Sequence, residues 1–177
     1  MEEQAKISFW KPALIYGAII GFIGILVSVI FYIADLYTTR WTSWVQLLIT
    51  LIVLIYCLIA YRREYLGGYA SYGQIFLMVL VIGVISTILS VIYSYLLFTV
   101  IDPELIDKMK IVAEERMMSN PRIPESAYDI GMERIEKLTV GRTMMMSAIG
   151  GPVLYAIIGL IVAAFLKKEE ETGEAVL

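Results

Sequence analysis

Few residues in this 177-residue sequence could perform chemistry, and the most suggestive stretch is rich in glycine and tyrosine. Residues 66–74 read LGGYASYGQ and follow the basic pair Arg62 and Arg63. Dense glycines can cradle a phosphate, but such a loop also needs a lysine and a Ser or Thr after its last glycine. Here Gly73 is followed by Gln74 and apolar residues. The stretch therefore favours a turn, while the two arginines leave open the binding of a lipid headgroup or a protein partner.

The same stretch has the signals of a tight turn followed by a helix start. Gly67 and Gly68 can adopt positive φ angles without steric cost. Ser71 is a suitable N-cap for the next helix, and Gln74, three residues later, would complete a capping box. The predicted turn and cap motif consists of Gly67, Gly68, Ser71, Tyr72, Gly73 and Gln74.

A group of methionines is the second candidate site. Thioether sulfur is a soft ligand that suits Cu(I), and seven of the nine methionines fall in or beside the segment 102–141. They are Met109, Met117, Met118, Met132, Met144, Met145 and Met146. The chain has no histidine, and its single cysteine, Cys57, lies elsewhere. Methionine also fills irregular apolar contacts and suits adaptable protein-binding surfaces. We therefore expect no metal or other cofactor, and we favour a partner-binding surface over a copper site.

Acids and bases are scarce where a membrane-embedded enzyme would need them. Without histidine the chain lacks the usual proton shuttle at neutral pH. Tyr95, Asp102, Glu104 and Arg142 are the only set that we would examine for catalysis at a membrane surface. No ionisable residue other than tyrosine or cysteine lies in the middle of an apolar block, which argues against ion-coupled transport. We expect no enzymatic activity, and the net charge of −3 gives no reason to expect nucleic-acid binding.

The elements that must position these residues are apolar blocks. Hydrophobic residues make up 59% of the chain, and its mean hydropathy is +0.78. About 20 residues at ~1.5 Å rise span a bilayer core of about 30 Å, and in lipid the backbone must satisfy its own hydrogen bonds. We predict an all-α fold: a single-domain, four-transmembrane-helix integral membrane bundle. The spans are expected at about 12–36, 41–61, 73–101 and 142–166.

The main polar segment, residues 102–141, predicts an extramembrane helical hairpin between the third and fourth spans. Asp102 suits an N-cap and Pro103 suits the first helical position. Two prolines in SNPRIP (119–124) end that helix, and a second apolar periodicity follows. The hairpin is the predicted surface for a protein partner, and residues 167–177 form a charged tail.

Small residues recur on the predicted spans at helical spacing, which in lipid allows backbones to approach closely. The predicted helix-packing residues are Gly17, Gly21, Gly24 and Ser28 in the first span, Gly83, Ser86, Ser90 and Ser94 in the third, and Gly151 and Gly159 in the fourth. The second span lacks such a stripe, so we expect it to be more exposed to lipid. A polar path along the serines, with a kink at Pro152, keeps a small transporter or channel component as the alternative function. Homo-oligomer formation is left open.

Basic residues flanking the spans predict the orientation. Lys6, Lys11, Arg62, Arg63, Lys167 and Lys168 would all lie on one side, which we assign to the cytoplasm. Segment 102–141 weakens this assignment because it is itself rich in Lys and Arg. Residues that abut the membrane carry more weight, so both termini are predicted to be cytoplasmic.

Four stretches resemble a family of four-span membrane proteins of Bacteroidetes known only as a domain of unknown function. They are SFWKPALIYG (8–17), LGGYASYGQIF (66–76), YSYLLFTVIDPEL (93–105) and GLIVAAFLKKEE (159–170). The resemblance implies an integral protein of the bacterial inner membrane, and it implies no activity and no catalytic residues. The expected function is non-enzymatic, through contacts with membrane lipids or a protein partner.

Overall fold

A computed structural model describes residues 9–120 and 124–168 as a set of helices. Six α-helices follow one another, and a π-helical turn, Leu97–Ile101, extends the third. Their bounds are α1 Trp10–Ile33, α2 Thr42–Tyr65, α3 Tyr72–Leu96, α4 Leu105–Met118, α5 Glu125–Glu136 and α6 Val140–Leu166. No β-strand occurs within these ranges, although one isolated bridge joins Ala70 to Lys168.

Four helices, α1, α2, α6 and α3 with its π turn, are long and apolar enough to cross a membrane. This confirms the predicted all-helical class with four such helices. Twenty-four residues, the length of α1, cover about 36 Å at ~1.5 Å per residue. The helix limits differ from the predicted spans by a few residues at most ends, because apolar runs do not encode the exact first and last hydrogen-bonded turn.

The outward faces of the long helices are apolar. Phe22, Leu26 and Ile30, one turn apart on α1, are each about 60% exposed, and Phe165 on α6 is 84% exposed. A water-soluble monomer rarely exposes such a continuous apolar surface. Exposed tryptophans lie near both ends of the helices, Trp10 at one and Trp41 with Trp44 at the other, where indole rings suit the lipid headgroup region.

Helix α3 is the centre of the bundle and packs closely against α1 and α6. A Cβ added at Gly17 or Gly21 of α1 would lie 2.7 Å from a side-chain atom of Ile85 or Leu89 on α3. Gly83 of α3 lies against Tyr155 of α6. Two glycines of α6 also lie against α3: Gly151 against Thr87, and Gly159 against Phe76 and Val79. Because glycine has no side chain, α3 can approach both α1 and α6 closely at these positions.

The two ends of the bundle differ in packing. The termini end, where α1 starts and α6 stops, contains the main buried core, including Leu54, Leu58, Ile75 and Ile82. The hairpin end holds the 34–41 loop, α4 and α5. There Leu97, Phe98, Leu105 and Ile106 form a smaller core with flanking Leu138 and Val140. An Arg116 guanidinium donor bonds the carbonyl oxygen of Thr38 and ties α4 to the loop.

Asp102 and Pro103 differ from their predicted roles. Helix α4 begins at Leu105 with Glu104 at its N-cap and no side-chain capping bond, so Pro103 lies in the preceding turn. The Asp102 carboxylate instead pairs with Lys108 at 3.0 Å and accepts a 3.3 Å hydrogen bond from the Tyr32 hydroxyl. The opposite charge of Lys108 lies within hydrogen-bond reach and attracts the carboxylate.

Candidate functional site

A groove between α5 and α6 at the hairpin end combines cationic and apolar groups. Its volume is about 600 Å³. Arg134 and Arg142 form its charged part, and Ile135, Leu138 and Met146 belong to its apolar wall, which continues along α6 to a pair of glycines. We call this the arginine groove.

Local structure explains why the two arginines line one groove. Helix α5 ends at Glu136, and α6 starts directly after Thr139, whose hydroxyl caps it by accepting a 3.3 Å bond from the Arg142 N–H. This short connection brings the last turn of α5 beside the first turn of α6. Along α6, Gly150 also lines the groove, and a Cβ there would meet no atom within 4 Å, so the groove is open at this position.

The polar groups of the groove have unused bonding capacity. Neither arginine forms an ion pair within the described ranges of the chain. The Thr143 hydroxyl, which also lines the groove, is buried and has no hydrogen-bond partner in the part of the chain described. A guanidinium binds phosphate through its planar set of donors, so the groove has the chemistry to hold an amphiphile with an anionic head.

The predicted turn and cap motif lies at the opposite, termini end. Gly67 and Gly68 have φ angles of 64° and 96°. Ser71 accepts a bond from the Gln74 N–H at 3.3 Å, and the Gln74 side chain accepts one from the Ser71 N–H at 2.8 Å. The structure thus contains a capping box at the start of α3. Gly73 lies in the first turn of that helix with open space around it.

The turn is also attached to the end of α6. Ala70 and Lys168 exchange backbone hydrogen bonds of 2.8 and 2.9 Å. The Tyr72 hydroxyl donates to the Leu160 carbonyl at 3.2 Å, and the Lys168 ammonium lies 5.4 Å from the ring centre of Tyr69. These contacts join the α2–α3 turn to the last turns of α6.

A polar cavity of about 400 Å³ lies between α1, α2 and α3 at the hairpin end. Gly24 and Ser28 of α1 and Ser90 and Ser94 of α3, all predicted to pack helices, line it together with Gln46 of α2. Helices α2 and α3 contact each other little, and the cavity occupies the space between their ends. Ser86, one helical turn before Ser90 on α3, differs from Ser90 and Ser94. It is buried, and its hydroxyl donates a hydrogen bond to the Ile82 carbonyl of its own helix at 2.9 Å.

Comparison with known proteins gives a family and no function. Residues 15–168 match the family model described as "Protein of unknown function (DUF4199)". The chain belongs to this family. No curated protein and no solved structure matches this DUF4199 chain, so its role must be inferred from its own geometry.

The remaining candidates of the DUF4199 chain do not converge on one site. Met109 lines the polar cavity, Met117 contacts Gly131, and Met146 lines the arginine groove. No cluster of three or more His, Cys, Asp or Glu residues able to hold a metal occurs in ranges 9–120 and 124–168. Asp102 pairs with Lys108, whereas Arg142 lies in the arginine groove.

Arg134 and Gln46 are two of the site residues that sequence reasoning missed in this DUF4199 protein. Arg134 stands eight positions before Arg142, across a predicted helix end. The sequence did contain a signal for this site. Two arginines flank the predicted helix end, and an apolar helix with a pair of glycines follows directly. Gln46 was hidden because a single glutamine near the end of an apolar block has no pattern of its own.

Proposed function

We propose that this protein is a non-enzymatic integral membrane protein that binds an anionic phospholipid in the arginine groove. The observation that carries the proposal is the pair Arg134 and Arg142, without an ion pair in the described part of the chain, at the mouth of a groove whose wall turns apolar along α6. A phosphate would meet the guanidinium groups, and an acyl chain would follow Met146 toward Gly150.

The position of the groove along the helix supports this assignment. Arg142 lies in the first turn of α6, and Trp41 and Trp44 are exposed at the same end of the bundle. Tryptophans mark the headgroup level of a bilayer. The two arginines would therefore stand at the depth of lipid phosphates, and Gly150 about 12 Å deeper, at ~1.5 Å per residue.

The proposed placement in the membrane follows from charge. At the termini end, Arg62, Arg63 and Lys167 flank the long helices. We give these membrane-flanking residues more weight than the basic residues of segment 102–141, and on that weighting the positive-inside rule assigns the termini end to the cytoplasm. We place α4, α5 and the arginine groove on the outer face of the bacterial cytoplasmic membrane. The hairpin remains a candidate surface for a protein partner, since Ile111 and Met118 of α4 are exposed.

The transporter alternative is weaker for a physical reason. The polar cavity is confined to the hairpin end, and buried apolar residues lie one or two turns deeper on the same helix faces. Ile20, Leu54 and Ile82 are at most 3% exposed. A permeation path would need polar groups to replace these side chains across the termini end.

Lipid affinity measured on the purified full chain tests the proposal. Native mass spectrometry in detergent would compare phosphatidylglycerol with phosphatidylcholine of identical acyl chains. If each guanidinium contributes ~1 kcal/mol, the double substitution Arg134→Gln with Arg142→Gln should weaken phosphatidylglycerol binding roughly 30-fold. Phosphatidylcholine binding should change little.

Arg63→Gln is the matched control, because it removes one exposed arginine at the other end of the bundle. Both variants must keep the thermal unfolding profile of the unmodified protein. Equal binding of the two lipids by the unmodified protein, or full phosphatidylglycerol binding by the double variant, would exclude the arginine groove as an anionic lipid site.

A further inference from the structure

We infer that the polar cavity between α1, α2 and α3 is a second binding site, for an uncharged group rich in hydroxyls such as a sugar. This site is separate from the arginine groove and does not depend on it. Six of its polar lining residues come from three helices: Ser28, Thr42, Ser43, Gln46, Ser90 and Ser94. Its volume of about 400 Å³ falls within the range of small-molecule sites, about 300–1,000 Å³.

The bonding state of the lining groups indicates a ligand with hydrogen-bonding atoms. The Tyr93 hydroxyl, which lines the cavity, is buried and bonds no other group in the described ranges. Gln46 uses one N–H, in a long 3.4 Å contact to the Gly24 carbonyl, although its amide has a second N–H and two acceptor positions. Buried polar groups are almost always hydrogen-bonded, so the Tyr93 hydroxyl needs a partner inside the cavity, and the free positions of the partly buried Gln46 amide can bond the same partner.

The electrostatics of the cavity select for an uncharged partner. Among the residues that the structure describes, none that lines the cavity is Asp, Glu, Lys or Arg. Burial raises the pKa of the Tyr37 phenol above its ordinary value of 10.0, so this cavity residue stays neutral at physiological pH. An ion entering here would lose its hydration without meeting an opposite charge, which is costly. An apolar ligand would leave the hydroxyls unsatisfied. A neutral polyol or sugar avoids both penalties.

Cysteine protection in lipid nanodiscs of phosphatidylcholine tests this inference. The native thiol is removed by Cys57→Ala, and Ser90→Cys places a reactive group on the cavity wall. The labelling rate with a small methanethiosulfonate reagent is measured alone, with methyl glucoside, and with a glucosyl diacylglycerol. Diacylglycerol without the sugar is the lipid control. We expect the sugar-bearing probe to slow labelling at least fivefold at saturation.

Ser119→Cys is the matched reference site, exposed at the end of α4 and outside the cavity, and its labelling should not change. Ser94→Cys repeats the test if Ser90→Cys fails to fold. Protection by methyl glucoside supports a free sugar as ligand, and protection by the glucolipid alone supports a lipid headgroup. Labelling that neither probe slows, protection by plain diacylglycerol, or a thiol that no reagent reaches would overturn the inference.

Discussion

The Arg62 guanidinium of α2 donates a hydrogen bond from Nη1 to the carbonyl oxygen of Leu166, the last residue of α6, at 2.9 Å. The final carbonyls of a helix lack partners within the helix and carry partial negative charge. A cation that bonds one of them satisfies an acceptor and stabilises the helix end. This bond crosses 104 positions of sequence and holds together two helices that otherwise touch little.

Replacing Arg62 with Gln should therefore destabilise the termini end. A hydrogen bond from a charged donor contributes about 1.5–3 kcal/mol, so the free energy of unfolding should fall by about 2 kcal/mol. Chemical unfolding in mixed micelles would measure it. Arg63→Gln changes the neighbouring, exposed arginine and should have little effect. A similar loss from both substitutions would show that general charge, and not the bond to Leu166, matters here.

Gly83→Ala should loosen the contact between α3 and α6. The added Cβ would collide with the Tyr155 side chain, and overpacking of this kind costs about 1–3 kcal/mol. Gly73→Ala is the control on the same helix, because a Cβ there meets nothing within 4 Å. That change should be neutral or stabilise by up to about 1 kcal/mol, since alanine favours helix. Measured in one detergent, the unfolding midpoint should fall for Gly83→Ala and should stay the same or rise for Gly73→Ala.

The ion pair of Asp102 with Lys108 should make stability depend on pH at both extremes. The hydrogen bond from Lys108 lowers the pKa of the Asp102 carboxyl below its ordinary 3.8. The stabilisation of the fold by ionised Asp102 is therefore fully present above pH 3.8, and it is lost as the pH falls further through the lowered pKa. The same bond raises the pKa of Lys108 above 10.5, so the contribution of Lys108 is complete below pH 10.5 and is lost as pH rises further.

Asp102→Asn isolates that effect. Thermal unfolding of the variant and the unmodified protein should differ at pH 7 and converge as the pH is lowered below 3.8. Lys110→Gln is the control, because Lys110 pairs with an Asp107 whose side chain is 72% exposed, and exposed pairs contribute little. A constant difference between Asp102→Asn and the unmodified protein down to the lowest pH would contradict the role of the ionised carboxylate.

Ser71→Ala should fray the start of α3. Loss of an N-cap hydroxyl lowers stability by about 1 kcal/mol. It also leaves the Gln74 N–H without the 3.3 Å hydrogen bond that it donates to the Ser71 hydroxyl. Amide hydrogen exchange at Gln74 should accelerate about fivefold, the equivalent of ~1 kcal/mol. Ser71→Thr retains a hydroxyl and should restore slow exchange. Unchanged exchange in the alanine variant would mean that the attachment to α6 alone holds this turn.

Periodicity and length made the helices predictable from the sequence. Uncharged blocks such as 41–61 leave a helix as the main structure that satisfies every backbone group in lipid. Gly67 with Gly68 and the spacing of Ser71 and Gln74 are local signals as well, since each depends on neighbours fewer than four residues away. The structure contains positive φ angles at the two glycines and a capping box at the two polar residues.

Asp102 shows where local reasoning ends. Its neighbours Pro103 and Glu104 suit a helix start, yet its carboxylate bonds Lys108 and Tyr32, and Tyr32 is 70 positions away. The serines of α3 also differ in exposure for a reason that depends on distant parts of the chain. Ser86 is buried and Ser90 is exposed, because α2 and α3 contact each other little and a cavity separates their ends.

The sequence by itself determined the helical class, the four apolar helices and the turn before α3, because each follows from composition or from spacing along one chain segment. Only the tertiary structure decided that Arg134 faces the same groove as Arg142, and that Gln46 shares a cavity with Ser90. Both arrangements depend on the angles at which helices pack. Those angles result from many weak contacts between segments distant in sequence, and no single stretch of residues encodes them.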